Sequence, residues 1–172
     1  HEQTMCTGGL TMSRDLLKGK TVLIVDDERD VLETLEELLS MCEVVKASTF
    51  EEAKLALETQ AFDIAVLDIM GVDGYRLLEI ARNRKVIPVM LTAHALSPEH
   101  TISSYKRGAA LYVPKDKIAD IAEYLNDVLL AIDAGKSTWW RWLDRFESYY
   151  NKKFEAEWKN KDKEFWRSFP YT

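Results

Sequence analysis

Through residue 134 the sequence alternates short apolar runs with longer segments whose apolar residues recur at helical spacing. This is the pattern of a parallel sheet flanked by helices. The runs Thr21 to Val25, Glu43 to Ala47, Phe62 to Leu67, Val89 to Thr92 and Ala110 to Val113 predict five strands. Between them, Val31, Leu32, Leu35, Leu38 and Leu39 line one face of a first helix. Ser48 with Glu51 reads as a capping box opening a second helix, and Gly74 to Ala81 gives a short third. A fourth is expected to start at Ser97, whose hydroxyl can cap it, with Pro98 at the first helical position and Gly108 just past its end. A fifth runs from Ile118 to Ala134 and stops at Gly135. The expected fold is therefore α/β, a (βα)5 doubly wound parallel sheet of order 2-1-3-4-5, whose functional site lies beyond the carboxyl ends of the strands.

That rule selects residues. The strand ends carry Asp26 and Asp27, then Asp68, then Thr92, then Lys115. Carboxylates gathered at one sheet edge repel one another, and a hard divalent cation with oxygen ligands relieves the repulsion, so Mg²⁺ is the natural candidate. Asp26 and Asp27 would hold it, and Asp68 would offer one oxygen while another stays free as a nucleophile toward phosphorus. Lys115 supplies positive charge for phosphoryl oxygens, and the Thr92 hydroxyl can donate to one of them. Taken alone, Asp26 and Asp27 could equally cap the helix that follows; the company of Asp68, Thr92 and Lys115 favours the site. Asp73 reads as a turn residue beside Gly74, and His94 would either border the site or sit solvated on the surface. No G-x-x-x-x-G-K-[ST] phosphate loop appears, so a phosphoryl group must come from another protein or a small phosphodonor.

Four blocks, V-L-I-V-D-D-E (Val22 to Glu28), A-V-L-D (Ala65 to Asp68), V-M-L-T-A (Val89 to Ala93) and G-A-A-L-Y-V-P-K (Gly108 to Lys115), follow in order. Together they resemble the receiver domain of two-component response regulators, a flavodoxin-like fold. The resemblance implies Asp68 as phosphoacceptor, Asp26 and Asp27 as the metal-binding pair, the Met70 backbone carbonyl as a further metal ligand, and Mg²⁺ as cofactor. It also implies Thr92 and Tyr112 as switch residues, Lys115 as the phosphate-sensing lysine, and a phosphohistidine on a sensor histidine kinase as donor. By the same resemblance the protein is a bacterial phosphorelay component that catalyses only its own phosphotransfer and dephosphorylation.

Three departures qualify the match. The loop D-I-M-G-V-D-G (Asp68 to Gly74) lacks the family's Pro and is short, the interval from Asp68 to Thr92 implies a trimmed third helix, and Lys115 is followed by Asp116 where the family has Pro. A cis bond without Pro costs about 3 kcal/mol, so a trans or a strained bond is expected there. One alternative is a degenerate receiver that serves as a scaffold without phosphorylation. The other is an aspartate-nucleophile phosphohydrolase, which would want a second acid where Met70 stands.

Composition narrows the setting. The chain of 172 residues is 47% hydrophobic and 30% charged, as in soluble globular proteins, and holds no apolar run long enough to span a bilayer. Two cysteines, Cys6 and Cys42, are too few for a disulfide framework, so a reducing cytoplasm is the expected location. His1, His94 and His100 lack metal-ligand spacing with them. Residues 1–19 read as a flexible arm without the features of a secretory signal.

The formal charge of -6 argues against nucleic-acid binding, yet it is uneven. Residues 136–172 carry nine Lys or Arg against six Asp or Glu, along with all five Trp. Trp139, Trp142, Phe146, Tyr149, Tyr150, Phe154 and Trp158 fall at helical spacing. The chain thus divides into the arm, a receiver at 20–134 and an aromatic helical extension at 135–172. The stripe would either dock on its own receiver or form a partner-binding or dimerising helix or hairpin, because aromatics and Arg dominate interface anchors. An anionic membrane surface is a lesser alternative. Phosphorylation of Asp68 is then expected to change how this extension is held, since it leaves directly from the fifth helix.

Overall fold

In the computed structural model, residues 15–93, 98–154 and 158–170 are described; the expected N-terminal arm up to residue 14, His94 and the Ser97 cap lie outside them. The strands are β1 (Thr21–Val25), β2 (Glu43–Ala47), β3 (Ile64–Asp68), β4 (Ile87–Thr92) and β5 (Leu111–Pro114). All pair in parallel, in the order β2-β1-β3-β4-β5. The inner strands are apolar nearly throughout because helices cover both faces, and every residue of β3 is buried.

The helices are α1 (Arg29–Leu38), α2 (Phe50–Thr59), α3 (Gly74–Asn83), α4 (Pro98–Lys106), α5 (Ile121–Asp133), α6 (Trp142–Lys153) and α7 (Lys163–Ser168). Helices α1 and α5 pack together on one face, while α2 and α3 pack on the other. Tyr75 of α3 reaches Ser104 and the carbonyl of His100, joining α4 to that second group.

Local chemistry explains several boundaries and corrects others. Thr49, not Ser48, caps α2: its hydroxyl accepts from the Glu52 N–H at 3.1 Å, and the Glu52 carboxylate accepts from the N–H and hydroxyl of Ser48. The box lies one residue later than the sequence reading because Glu51 points into solvent. Helix α3 is not trimmed; at ten residues it matches α1 and α2. The shortening therefore falls on the loops around it. The expected fifth helix opens instead with a 3-10 segment, Lys115–Asp120, before α5. No cis peptide occurs among the described residues, so the Lys115–Asp116 bond is trans.

The aromatic extension is not one continuous helix. Phe154 is extended at the end of α6, Trp158 opens a separate 3-10 turn, and α7 follows with Asp162 as its cap. The chain turns back so that Trp158 meets Tyr150 at 5.2 Å between ring centroids and Trp166 stacks on Trp142 at 6.1 Å. These rings belong to the same apolar cluster as the sheet. Trp142 keeps only 1% of its surface exposed. Its indole N–H donates to the Tyr112 carbonyl of the edge strand β5 at 2.9 Å, and that of Trp139 donates to the Ala109 carbonyl at 2.8 Å. Arg145 of α6 pairs with Asp127 and Glu123 of α5. The extension thus packs on its own receiver, over α4, β5 and α5, and covers an edge that would otherwise be open to strand pairing.

Candidate phosphoacceptor site

Strands β1 and β3 are neighbours whose connections leave toward opposite edges, which opens a crevice at their carboxyl ends. Asp26 and Asp27 follow β1 directly, and Asp68 is the last residue of β3. One carboxylate oxygen from each of the three lies within 4.8 Å of the others. Asp26 is fully buried, Asp68 is 3% exposed and Asp27 opens to solvent. Lys115, at the end of β5, directs its ammonium into this cluster: 2.6 Å from Asp26, 2.8 Å from Glu28 and 3.4 Å from Asp68. Thr92 ends β4, whose Leu91 is registered against Asp68, so its fully buried side chain stands beside the same edge. The structure therefore brings together Asp26, Asp27, Asp68 and Lys115 and places Thr92 on the adjoining strand end.

The loop after Asp68 is shaped around the carboxylates. The Gly71 N–H donates to Asp68 Oδ2 at 3.1 Å. A Cβ on Gly71 would come 2.4 Å from the Asp27 carboxylate, and one on Gly74 would come 2.2 Å from the Asp68 carbonyl. Gly74 therefore needs glycine for its close approach to backbone, whereas a side chain at Gly71 would push the Asp27 carboxylate aside. Asp73 takes the left-handed conformation at φ 56° and starts α3, as a turn residue should. Met70 leaves its side chain 69% exposed beside the site.

Charge is held here at a cost. Burial, opposed by the Lys115 hydrogen bond and the Glu28 N–H, raises the Asp26 carboxyl above its usual range. Burial likewise raises Asp68, against the pull of Lys115 and the Gly71 N–H. Burial works against the Lys115 charge too, but the hydrogen bonds that its ammonium donates to Asp26 and Glu28 more than offset it, and the ammonium is held more firmly than usual. A carboxyl raised by folding binds its proton more tightly in the native state. Its stabilising contribution is complete below the ordinary carboxylate pKa and is lost as the pH rises through the raised value. Asp68→Asn is therefore expected to raise the melting temperature at neutral pH, with the gain shrinking as the pH falls toward about 4, the ordinary carboxylate range. Thermal melts across that interval check the sign; a variant less stable than wild type at neutral pH contradicts it.

Tyr112 is fully buried, and burial pushes its phenol up to about 12. Its hydroxyl lies among those of Tyr150, Thr92 and Thr101 without a well-formed bond to any described residue. Of the extension residues named from sequence, Trp139, Trp142, Phe146, Tyr150 and Trp158 are buried and Phe154 is half-buried, all within this chain. Two participants escaped the sequence reading. Glu28 carries no signal beyond following the acidic pair, yet it anchors Lys115. Gly71 could have been noticed as a glycine three residues beyond Asp68.

With this fold and site, the chain belongs to the response regulator receiver domain family, which matches residues 22–126. It is 34% identical over 105 residues to a two-component response regulator of Arabidopsis thaliana, a stretch covering 56% of this chain and 19% of that protein. It is 35% identical over 105 residues to a probable transcriptional regulator of Guillardia theta, covering 59% and 41%. The chain thus spans well under half the length of these curated relatives. Among solved structures, a CheY-like receiver domain protein from Methanospirillum hungatei is 30% identical with a TM-score of 0.54, covering 64% of this chain and 96% of that one. A response regulator from Chloroflexus aurantiacus is also 30% identical, with a TM-score of 0.58 and coverage of 66% and 99%. These matches leave much of the aromatic extension outside the shared region.

Proposed function

We propose that the chain is a phosphorylation switch that accepts a phosphoryl group on Asp68 from a phosphohistidine of a sensor histidine kinase and signals through a changed protein contact. The supporting observation is the convergence on Asp68, nearly buried at a strand end, of two further carboxylates and the Lys115 ammonium. An Asp68 oxygen attacks phosphorus opposite the departing imidazole, so the P–O bond forms as the P–N bond breaks. Thr92 donates to one phosphoryl oxygen, and Lys115 exchanges its contact with Glu28 for another. The exposed side of the site, at Asp27 and Met70, leaves room for the donor's approach.

Three carboxylates and no sulfur or imidazole fit a hard cation of the magnesium type. Asp26, Asp27, Asp68 and the Met70 carbonyl would hold it, and when bound it offsets the charge of the phosphoryl oxygens. A cytoplasmic setting follows from this reading; the structure itself has no helix, among the described residues, long and apolar enough to cross a membrane. Nucleic acid is not among the proposed partners.

Incubation with acetyl phosphate and Mg²⁺ followed by intact mass measurement tests the assignment, since a degenerate scaffold gains no phosphoryl group. Mg²⁺ binding is expected to be weak, because this ion keeps several waters, and to depend on Asp27. Calorimetric titration should find at least tenfold weaker binding in Asp27→Ala; equal affinity would remove the acidic pair from the site.

A further inference from the structure

The turn that carries Lys115 has little of its own to fix it. It is the 3-10 segment Lys115–Asp120, none of whose six residues is buried, and its N-cap, Pro114, supplies no side-chain cap. A Pro at position 116 would restrict the backbone on both sides, but Asp stands there and the bond before it is trans. Lys115 must nevertheless direct its ammonium to 2.6 Å from Asp26 and 3.4 Å from Asp68.

The restraint comes from the extension. Tyr149 of α6 donates its hydroxyl to Asp116 Oδ2 at 3.1 Å, and Lys153 of the same helix lies 3.8 Å from that oxygen. The ammonium of Lys117, the next residue of the turn, sits 5.4 Å from the centre of the Tyr149 ring. Burial and the bond to Asp116 push the Tyr149 phenol up to about 12, so it stays a donor at neutral pH. Its helix is held in turn by buried Trp142 and by the pairing of Arg145 with Asp127 and Glu123.

We propose that Tyr149 is a positioning residue for phosphoryl transfer: by holding Asp116 it sets the backbone from which Lys115 reaches the phosphoacceptor site, so that the extension completes that site. This rests on Asp68 being the phosphoacceptor. The lysine stem is flexible, and in the resting site three carboxylates fix its ammonium. When the phosphoryl group arrives the ammonium must exchange one of them for a phosphoryl oxygen, and the backbone then decides where it can go. A misplacement of about 1 Å can cost about 100-fold in rate. The hydroxyl carries the effect, since Phe at this position keeps the ring and its packing.

Rates of acetyl phosphate labelling with Mg²⁺, read by intact mass on the full chain at saturating donor, test this. Tyr149→Phe is expected to label about fivefold more slowly, well inside the range that misplacement can produce. Asp116→Ala should slow labelling similarly and the double variant no further, because each change removes the same bond. Asp116→Asn, which keeps an oxygen to accept from Tyr149, should recover most of the rate. In a Lys115→Ala chain, Tyr149→Phe should make no difference. A Tyr149→Phe rate equal to wild type, an equal slowing with and without Lys115, or an Asn variant as slow as the Ala variant each overturns the proposal. Should Tyr149→Phe fail to fold, Asp116→Ala, a change at an exposed residue, provides the same comparison. Without any phosphoryl donor, the Lys115 side-chain NMR signals of a ¹³C-lysine-labelled chain, assigned with Lys115→Ala, should shift in Tyr149→Phe; unmoved signals overturn the positioning. Absence of labelling in wild type removes the phosphoacceptor reading, and shifted signals would then leave the hold of Tyr149 on Lys115 standing alone.

Discussion

Asp68→Asn is expected to abolish phosphorylation by acetyl phosphate, while no other single Asp change in the site removes it entirely. The amide of Asn keeps the shape of the side chain but lacks the anionic oxygen that attacks phosphorus, so the loss is of the nucleophile itself rather than of its surroundings. Asp26 is fully buried and bonded to Lys115, and Asp27 is exposed at the mouth, so neither stands where Asp68 does, at the end of the central strand with the ammonium 3.4 Å away. Replacing either weakens the handling of charge and slows labelling. Intact mass spectrometry reads the outcome as a gain of about 80 Da, one phosphoryl group, in wild type and none in Asp68→Asn. Labelling of the variant at the wild-type rate would mean that another residue is the acceptor.

Trp142→Ala should destabilise the whole chain by about 3 to 5 kcal/mol, the usual cost of removing a large buried ring. Trp142 meets Trp139, Phe146, Tyr150, Trp166 and Phe169 edge-on or tilted or stacked, and its indole holds the Tyr112 carbonyl. Typical domains are stable by about 5 to 15 kcal/mol, so the loss is a large part of the whole. Because the extension shares one apolar cluster with the sheet, urea unfolding followed by Trp fluorescence and by circular dichroism should give coincident transitions, shifted together in the variant. Trp142→Phe, which keeps most of the ring volume but not the N–H, should lose far less. A Trp142→Ala loss below about 1 kcal/mol, the scale of an ordinary surface change, would mean that the extension contributes little to folding.

The parallel sheet is legible along the chain, since five short apolar runs separated by amphipathic segments admit few other arrangements, and β1 and β2 fall where their runs do. The chemical groups that meet can be read the same way. In a doubly wound sheet, residues far apart in sequence are gathered at the strand ends, so Asp26, Asp27, Asp68 and Lys115 are legible as one group, and the structure places them together. Boundaries set by local competition were less legible. Whether Ser48 or Thr49 caps α2 depends on which hydroxyl faces the free N–H, a matter of one dihedral that periodicity does not record.

The remaining contacts are settled by packing. Helical spacing from Trp139 to Trp158 specifies that these rings share a face, but not what that face meets. The answer depends on the shape of the receiver, whose edge strand and the turn before it each offer a carbonyl to an indole and whose α4 offers a threonine to Tyr150. Likewise, the reach of Lys115 to Glu28 joins residues 87 positions apart through a contact that neither motif implies. Patterns along a chain report how each element divides its surface between core and solvent; which buried polar groups end up within reach of one another is fixed when the elements pack, because hydrogen bonds depend on distances that only the assembled fold defines.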